Sequence, residues 1–271
     1  DYAMKILAFD IGGTNIKYAV CNERFELGEL QSIPTQAAKG GQHIINTVIE
    51  IIASYDDIDR VAISTAGQVD SENGIVVYSS DNIPYYTGML VKKIVETKTG
   101  IPTIVENDVN AAALGEAIFG AAKGCSDFVC LTFGTGIGGA IYVNNSLYKG
   151  CNSSAGEFGH IITHAGGRPC PCGGEGCYEQ YASAKALTQA VEKVTGEEMN
   201  GFQIFSKNSL LDPEIRHVVD TWIDEIIIGL KSIIYTFNPQ LLVLGGGIMS
   251  EEYIIELIDR KIYKELMETF R

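Results

Sequence analysis

The stretch Asp10-Ile-Gly-Gly-Thr-Asn15 lies between two short apolar runs, Lys5–Asp10 and Ile16–Cys21. Apolar runs bounded by a glycine turn are typical of two strands joined in a hairpin. Adjacent glycines let backbone N–H groups approach a phosphate closely, and the Thr14 hydroxyl adds a donor. Asp10, at the end of the first strand, is placed to hold Mg²⁺ through water. A plain hairpin turn without a ligand is the alternative that the motif alone leaves open.

A second glycine-rich stretch, Thr132-Phe-Gly-Thr-Gly-Ile-Gly-Gly139, follows the apolar run Asp127–Phe133 and precedes Ala140–Tyr148. It matches the pattern G-x-G-x-x-G, which would indicate a nicotinamide-dependent dehydrogenase if a helix followed it. The residues that follow have strand character instead, so we interpret the stretch as a hairpin that grips phosphate. A glycine turn without a ligand again remains the alternative.

The repeated order of strand, glycine turn and strand predicts two similar α/β halves, which we place at residues 4–120 and 121–271. Apolar residues at helical spacing predict the main helices. The expected helices are His43–Tyr55, Met89–Lys98, Asp108–Phe119, Tyr178–Val194 and Pro213–Phe237. Further strands are expected at Glu26–Ser32, Arg60–Ser64, Pro102–Val105 and Leu241–Leu244. Alternating strands and helices of this kind indicate an α/β fold.

A third glycine turn, Gly245-Gly246-Gly247, follows the buried strand Leu241–Leu244. A surface without side chains at this point could lie beside an adenine or a ribose. It could equally be a tight turn between a strand and a helix, because glycine serves both purposes.

Three cysteines crowd into the segment 156–179, which contains Cys170, Cys172 and Cys177 after His160. One imidazole and three thiolates form the tetrahedral set that a structural Zn²⁺ prefers. The chain has seven cysteines, and an odd number with a local cluster favours a metal site over disulfides. His164 is a competing candidate ligand, and free surface cysteines are the alternative to any metal site.

Carboxylates accompany these motifs at three places. Glu106-Asn107-Asp108 follows an apolar strand and opens a helix, whose N-terminus favours anions. From the local sequence alone, Asp108 has the character of a plain helix N-cap. Glu157 and Glu179 flank the cysteine segment, and the alternative for both is a solvated surface acid.

Length and charge exclude several classes of function. The chain has 271 residues, 30 of them glycine, and a formal net charge of −14 at pH 7. Without a cluster of Lys and Arg, this charge argues against binding of nucleic acid or of a membrane surface. No apolar stretch approaches the ~20 residues of a membrane span, and the first residues do not resemble a signal peptide. We therefore predict a cytoplasmic protein, in which Met4 has the character of the native start.

Taken together, the motifs resemble the ROK family, which comprises bacterial sugar kinases and related transcriptional repressors. The resemblance runs from Met4 to Gly247 and keeps the order of every motif. It is carried by Asp10-Ile-Gly-Gly-Thr14, Glu106-Asn-Asp108, Gly134-Thr-Gly136, Glu157-Phe-Gly-His160 and the cluster of Cys170, Cys172 and Cys177. It implies a two-lobed actin-like ATPase fold, as in hexokinases, with a structural zinc loop. The implied reaction is Mg²⁺- and ATP-dependent phosphorylation of a hexose or hexose derivative at the 6-hydroxyl, by a homo-oligomer (dimer or tetramer).

The resemblance also implies a role for individual residues. Asp108 corresponds to the catalytic base, for which an ordinary pKa of ~3.9 suffices because the transition state of phosphoryl transfer is loose. The implied sugar contacts are Gly67, Asn82, Asn107, Asp108, Glu157, His160 and Glu179. ATP and Mg²⁺ are implied at Asp10, Gly12, Gly13, Thr14, Lys17, Gly134, Thr135, Gly136, Gly246 and Gly247. The implied zinc ligands are His160, Cys170, Cys172 and Cys177, with the second ring nitrogen of His160 facing the sugar.

The sequence departs from the family pattern in three respects. Asn82-Ile-Pro-Tyr-Tyr86 stands where many family kinases have a Gly-Trp pair, so glucose, N-acetylmannosamine, another hexose or a β-glucoside all remain open as substrate. The helix-turn-helix of the repressors is not recognisable before the first strand. The family's C-terminal glycine- and alanine-rich helix is not recognisable before Arg271, which would weaken the packing of the lobes. The alternatives to a kinase are a non-catalytic sugar sensor and a zinc-organised interaction module.

Overall fold

The computed structural model describes residues 4–80 and 82–270, which fall into two units. Unit 1 comprises the chain up to Ala112 together with Lys149–Ala155, and unit 2 comprises Ala113–Tyr148 and the chain from Gly156 onward. The segment Lys149–Ala155 therefore belongs to unit 1, although unit 2 precedes and follows it in the sequence. No sequence pattern predicts this return.

Unit 1 is built on a five-stranded sheet. Its strands are β1 (Ile6–Ile11), β2 (Asn15–Cys21), β3 (Gln31–Pro34), β4 (Arg60–Thr65) and β7 (Thr103–Asn107), in the order β3-β2-β1-β4-β7. A separate hairpin contains β5 (Gln68–Asp70) and β6 (Ile75–Tyr78), and the helices are α1 (Gly41–Ala53), α2 (Val91–Thr99) and α3 (Asp108–Phe119), the last of which runs into unit 2. The register of the parallel strands β1, β4 and β7 aligns Asp10 with Ser64 and Ser64 with Glu106. The ends of these strands therefore bring polar residues to one edge of the sheet.

Alternating burial explains why the first strands pair in this register. In β1, Leu7, Phe9 and Ile11 are buried, and they belong to the same core as Ile44 and Val48 of α1. Because successive side chains of a strand point to opposite faces, Ala8 and Asp10, which alternate with the buried residues, face away from this core. A register shift by one residue would expose the apolar set, so the burial pattern holds the strand ends in place.

Unit 2 repeats the plan with a four-stranded sheet. Its strands are β8 (Phe128–Phe133), β9 (Ile137–Val143), β10 (Ser146–Tyr148) and β11 (Leu241–Gly245), in the order β10-β9-β8-β11. The helices are α4 (Glu179–Ala182), α5 (Ala184–Thr195), α6 (Gly201–Ile204), α7 (Pro213–Phe237) and α8 (Glu252–Glu265). As in unit 1, an antiparallel hairpin is followed by a strand that runs parallel to the first. Within the part of the chain that the structure describes, no helix is both long and apolar enough to cross a membrane.

Three expectations from the sequence require correction, and one hairpin was not expected. The helix expected over Tyr178–Val194 is two helices, because Ser183 is extended and its side chain accepts a hydrogen bond from the N–H of Ala186. The strand expected over Ala140–Tyr148 is divided into β9 and β10 by a turn at Asn144 and Asn145, which have φ of 54° and 59°. The strand expected over 26–32 begins only at residue 31, and the hairpin of β5 and β6 was missed.

Candidate active site

At the junction between β7 and α3, Asn107 positions the carboxylate of Asp108. The side-chain oxygen of Asn107 accepts hydrogen bonds from the N–H groups of Val109 and Asn110, both at 3.0 Å. Asn107, and not Asp108, therefore caps the helix, which corrects the interpretation of Asp108 as a plain N-cap. The amide nitrogen of Asn107 donates to the carbonyl of Gly67 at 2.8 Å and to Asp108 Oδ1 at 3.0 Å.

Asp108 lies in an environment that disfavours its charge. Burial raises its pKa to about 6, and the negative charge of Asp10 contributes to the rise. The N–H of Val109, which donates to Oδ1 at 2.9 Å, and the Asn107 amide act in the opposite direction. The expected ordinary pKa is therefore wrong, because burial is a property of the folded chain that the local sequence does not reveal.

Asp10 lies at the end of β1, beside the first glycine hairpin. Its side chain is exposed, and Oδ1 accepts a hydrogen bond from the Ser64 hydroxyl at 3.2 Å. The hairpin is held by Thr35, whose hydroxyl donates to the carbonyl of Gly12 and whose N–H donates to the carbonyl of Thr14. A Cβ added at Gly13 would meet no atom within 4 Å, so the tip of the turn faces open space.

The remaining predicted residues of unit 1 differ in their surroundings. Gly67 has φ of +98°, and a Cβ there would lie 2.6 Å from the carbonyl oxygen of Tyr78, so only glycine fits. Lys17 is exposed, and it pairs with Asp10 across the strands β1 and β2. Asn82 lies in an exposed turn. Hydrogen bonds of Asn107 thus join Gly67 and Asp108, and Asp10 is close enough for its charge to act on Asp108.

In unit 2, the four predicted metal ligands converge. One ligand atom from each of His160, Cys170, Cys172 and Cys177 lies within 4.8 Å of the others. Cys170 Sγ is 3.8 Å from His160 Nδ1, and the Sγ atoms of Cys172 and Cys177 are 3.6 Å apart. Zinc–sulfur bonds of about 2.3 Å in a tetrahedron place ligand atoms ~3.8 Å from one another, so the cluster fits Zn²⁺.

The protonation of the thiols varies within the cluster. The backbone N–H of Gly174 lowers the pKa of Cys172 to about 7, whereas burial raises the pKa of Cys177 to about 12. Metal binding requires thiolates, so zinc has to displace the proton of Cys177. His164 does not join the cluster: its Nε2 lies 3.5 Å from Glu225 Oε2, and its ring stacks on Tyr181.

Two carboxylates lie beside this cluster. His160 Nε2, the ring nitrogen that faces away from Cys170, is 4.0 Å from Glu157 Oε2. Glu179 Oε1 is 3.6 Å from Cys170 Sγ, and its Oε2 accepts a weak hydrogen bond from the N–H of Ile137 at 3.4 Å. A Cβ at Gly136 would lie 2.5 Å from Glu179 Oε2, so that glycine lets the carboxylate approach the second hairpin.

A separate cavity of about 540 Å³ opens beside the second hairpin. Of the predicted residues, Gly134, Thr135 and Gly247 line it. Gly246 does not; with φ of +100°, it brings its backbone against Phe133, where a Cβ would lie 2.2 Å from the carbonyl oxygen. Sequence reasoning missed the side chains that complete the wall, which are Lys185, Thr188, Asn200, Phe202 and Glu251. They follow Gly139, the end of the glycine stretch, by 46 residues or more and carry no motif.

Comparisons with known proteins agree with these features. The model of the ROK family matches residues 6–271. A β-glucoside kinase of Listeria innocua is 33% identical over 258 residues, which cover 94% of this chain and 86% of that protein. The structure of a ROK family glucokinase from Streptomyces griseus, in complex with glucose and AMPPNP, has a TM-score of 0.84 and 31% identity, and the match covers 98% of this chain and 91% of that chain. A candidate N-acetylmannosamine kinase from Listeria monocytogenes has a TM-score of 0.88 and 30% identity, with coverage of 98% and 91%.

The fold is the mixed α/β fold of ROK sugar kinases, which is that of the actin-like ATPases. The predicted resemblance rested on two glycine hairpins, a Glu-Asn-Asp junction and a cluster of one histidine and three cysteines. The family model matches nearly the whole chain, and the β-glucoside kinase of Listeria innocua is 33% identical over 94% of it. This chain therefore belongs to the ROK family.

Proposed function

We propose that this protein transfers the γ-phosphoryl group of ATP to a hydroxyl group of a hexose or hexose derivative, at the 6-position, with Asp108 as the base. The observation that carries the proposal is the fixed position of the Asp108 carboxylate, whose Oδ1 accepts from the Asn107 amide at 3.0 Å and from the N–H of Val109 at 2.9 Å. Burial and the charge of Asp10 also raise its pKa to about 6. A general base is most effective when its pKa lies near the working pH, because it is then both ionised and able to hold a proton. The names of the relatives as sugar kinases support the reaction class.

The proposed step is an in-line displacement. Asp108 accepts the proton of the sugar hydroxyl as the hydroxyl oxygen forms a bond to the γ-phosphorus. The bond between that phosphorus and the oxygen bridging to the β-phosphate breaks, and ADP leaves with the electron pair. Because the transition state is loose, positioning contributes more than base strength, and the Asn107 amide that donates to Asp108 supplies this positioning.

The nucleotide is proposed to bind at the glycine hairpins. The open space at Gly13 and Gly134 leaves room for phosphate oxygens at the backbone N–H groups, and the 540 Å³ cavity has the size of a pocket for a small ligand. Asp10 fits Mg²⁺, since a hard cation prefers carboxylate oxygen and this carboxylate is exposed. When bound, Mg²⁺ neutralises phosphate charge. Asp10, Gly12, Gly13, Thr14 and Lys17 belong to this proposal in unit 1, and Gly134, Thr135, Gly136, Gly246 and Gly247 belong to it in unit 2.

The sugar contacts are proposed in each unit separately. Unit 1 offers Gly67, Asn82, Asn107 and Asp108. Unit 2 offers Glu157, His160 and Glu179 beside the zinc cluster. Zinc would fix the ring of His160 through Nδ1 and so leave Nε2 to donate or accept, which gives the metal an orienting role rather than a chemical one. A homo-oligomeric, cytoplasmic enzyme remains part of the proposal.

The test is ADP release with Mg²⁺ and ATP across glucose, N-acetylmannosamine, other hexoses and β-glucosides. We expect turnover with one of these classes, and loss of turnover with retained sugar binding in Asp108→Asn. Turnover by Asp108→Asn at the wild-type rate would exclude Asp108 as the base. Sugar binding by the wild type without ADP release above background would favour a sensor and overturn the proposed reaction.

A further inference from the structure

We propose that Lys149 is a positioning residue for Asp108, through an ion pair with Glu106 at the junction of β7 and α3. The inference rests on the proposed function, since it concerns how the proposed base is held. It begins from the segment Lys149–Ala155, which lies in unit 1 although its neighbours in sequence lie in unit 2. Hydrogen bonds from this segment to other residues of unit 1 account for this placement.

The segment is closed on itself and attached to unit 1 at both ends. The N–H of Ala155 donates to the carbonyl of Lys149 at 3.0 Å, and the Ser154 hydroxyl donates to Gln68 Oε1 at 2.9 Å. At the other end, Lys149 Nζ lies 2.5 Å from Glu106 Oε2 and also donates to the Ser71 hydroxyl. The ammonium group thereby joins two segments that are 43 and 78 residues away in sequence.

Glu106 also accepts hydrogen bonds from the start of α3, the helix that carries Asp108. Its second oxygen, Oε1, accepts from the N–H of Asn107 at 2.9 Å and from the side-chain amide of Asn110 at 3.1 Å. Asn107 caps α3 and donates to Asp108 Oδ1. The hydrogen bonds therefore run without a gap from Lys149 through Glu106 to the proposed base.

Burial makes this pair different from an ordinary surface ion pair. The side chains of Lys149 and Glu106 are only 29% and 16% exposed. Removal of one partner would leave the other charge partly buried and uncompensated, which favours rotation of the Glu106 carboxylate toward water. That rotation would take Oε1 away from the buried amide of Asn110 and loosen the start of α3. Lys149 thus acts through Glu106 and Asn107, without contact to Asp108 itself.

The test compares Lys149→Met with Lys149→Arg and with a matched control, Lys231→Met. Lys231 is also 29% exposed and pairs with Glu265 at 3.1 Å in unit 2. We expect Lys149→Met to lower kcat about tenfold or more, since displacement of a reacting group by a fraction of an ångström is costly, and to leave KM for ATP unchanged. Lys149→Arg should recover most of kcat, and Lys231→Met should retain it. A kcat of Lys149→Met within twofold of the wild type, or equal losses in the Met and Arg variants, would overturn the inference.

Glu106→Gln provides a second route if Lys149→Met does not fold. The two residues act as one unit, so we expect Glu106→Gln to lower kcat as well and the double variant to be no worse than the more impaired single variant. Losses that simply multiply in the double variant would contradict the proposal.

A readout without turnover separates this inference from the proposed function. The titration of the Asp108 carboxyl carbon by NMR should move from about 6 toward the ordinary value in Lys149→Met, because a loosened junction admits water. If the wild type phosphorylates no sugar, the proposed function fails, and this titration then decides the inference. A shift supports it, and an unchanged titration overturns it.

Discussion

Replacing Asp108 by Asn should stabilise the folded protein near pH 8 even though it removes the proposed base. The folded-state pKa of Asp108 is about 6 against an ordinary 3.8. Above pH 6, the ionised carboxylate therefore costs the native state about 3 kcal/mol, at 1.36 kcal/mol for each pKa unit. An asparagine carries no charge to desolvate, and its Oδ1 can still accept from the Asn107 amide and from the N–H of Val109.

The pH dependence of this gain has a definite sign. Because the folded pKa is the higher one, the native state binds more protons than the unfolded chain between about pH 4 and pH 6, and the contribution of Asp108 to wild-type stability falls as the pH rises through this window. The advantage of Asp108→Asn should therefore be absent below about pH 4. It should reach about half of its final value near pH 5 and be complete above about pH 7.

Urea unfolding followed by far-ultraviolet circular dichroism near pH 5 and pH 8 measures this difference. Asp70→Asn is the matched control, because hydrogen bonds from Asn73 lower the pKa of Asp70 and the same substitution should there reduce stability near pH 8. Equal free energies of unfolding for Asp108→Asn and the wild type near pH 8 would refute the reasoning. So would an advantage of the same size at both pH values, since desolvation of a charge must disappear when the charge does.

The acid limb of kcat for the wild type should have a midpoint near pH 6, the folded-state value for Asp108 or its counterpart in the complex, and a rate that is flat down to pH 4.5 would contradict this base. Removal of zinc by a chelator, or Cys172→Ser, should weaken sugar binding by about tenfold or more while leaving ATP binding intact, and the exposed Cys151 provides a control variant that should behave as wild type. Gly134→Ala should fold normally and raise KM for ATP, because the added Cβ meets no atom within 4 Å. Gly139→Ala should destabilise the hairpin, because its Cβ would lie 2.2 Å from the Phe158 ring. A lower melting temperature for Gly134→Ala, or an unchanged one for Gly139→Ala, would contradict this assignment.

The sequence predicts what neighbouring residues determine. The bounds of α3 follow from a run rich in alanine, and those of α7 follow from apolar spacing and from Pro213 in its first turn. The zinc cluster is equally local, because its three cysteines fall within eight residues and the turns between them are short. The hairpins follow from glycines between apolar runs, and the strand after Gly136 excludes the dinucleotide-binding interpretation.

What the sequence could not predict depends on contacts between distant segments. At the break between α4 and α5, the ring nitrogen of Trp222 donates to the carbonyls of Ala182 and Ser183, which are 40 and 39 residues away in sequence. The return of Lys149 to unit 1 depends on Glu106 and Ser71, which share no pattern with it. The raised pKa of Asp108 depends on burial. The spacing of apolar residues in a sequence predicts which apolar side chains are buried, but it does not predict the burial of a carboxylate at the start of a helix.

The two proposed halves of the site are held by different interactions, and this difference has a physical cause. In unit 1, each side-chain oxygen and nitrogen of Asn107 has a partner, so the position of Asp108 follows from hydrogen bonds that exist without any ligand. In unit 2, the ring of His160 is only 3.8 Å from Cys170 Sγ and 4.0 Å from Glu157, distances too long for strong hydrogen bonds. In the proposal, the orientation of His160 therefore depends on Zn²⁺, which would draw Nδ1 and the thiolates together. A proposed base has to be in place before the sugar hydroxyl arrives, so ligand-independent hydrogen bonds suit Asp108. A proposed sugar contact needs a fixed direction, which a structural metal would supply to His160.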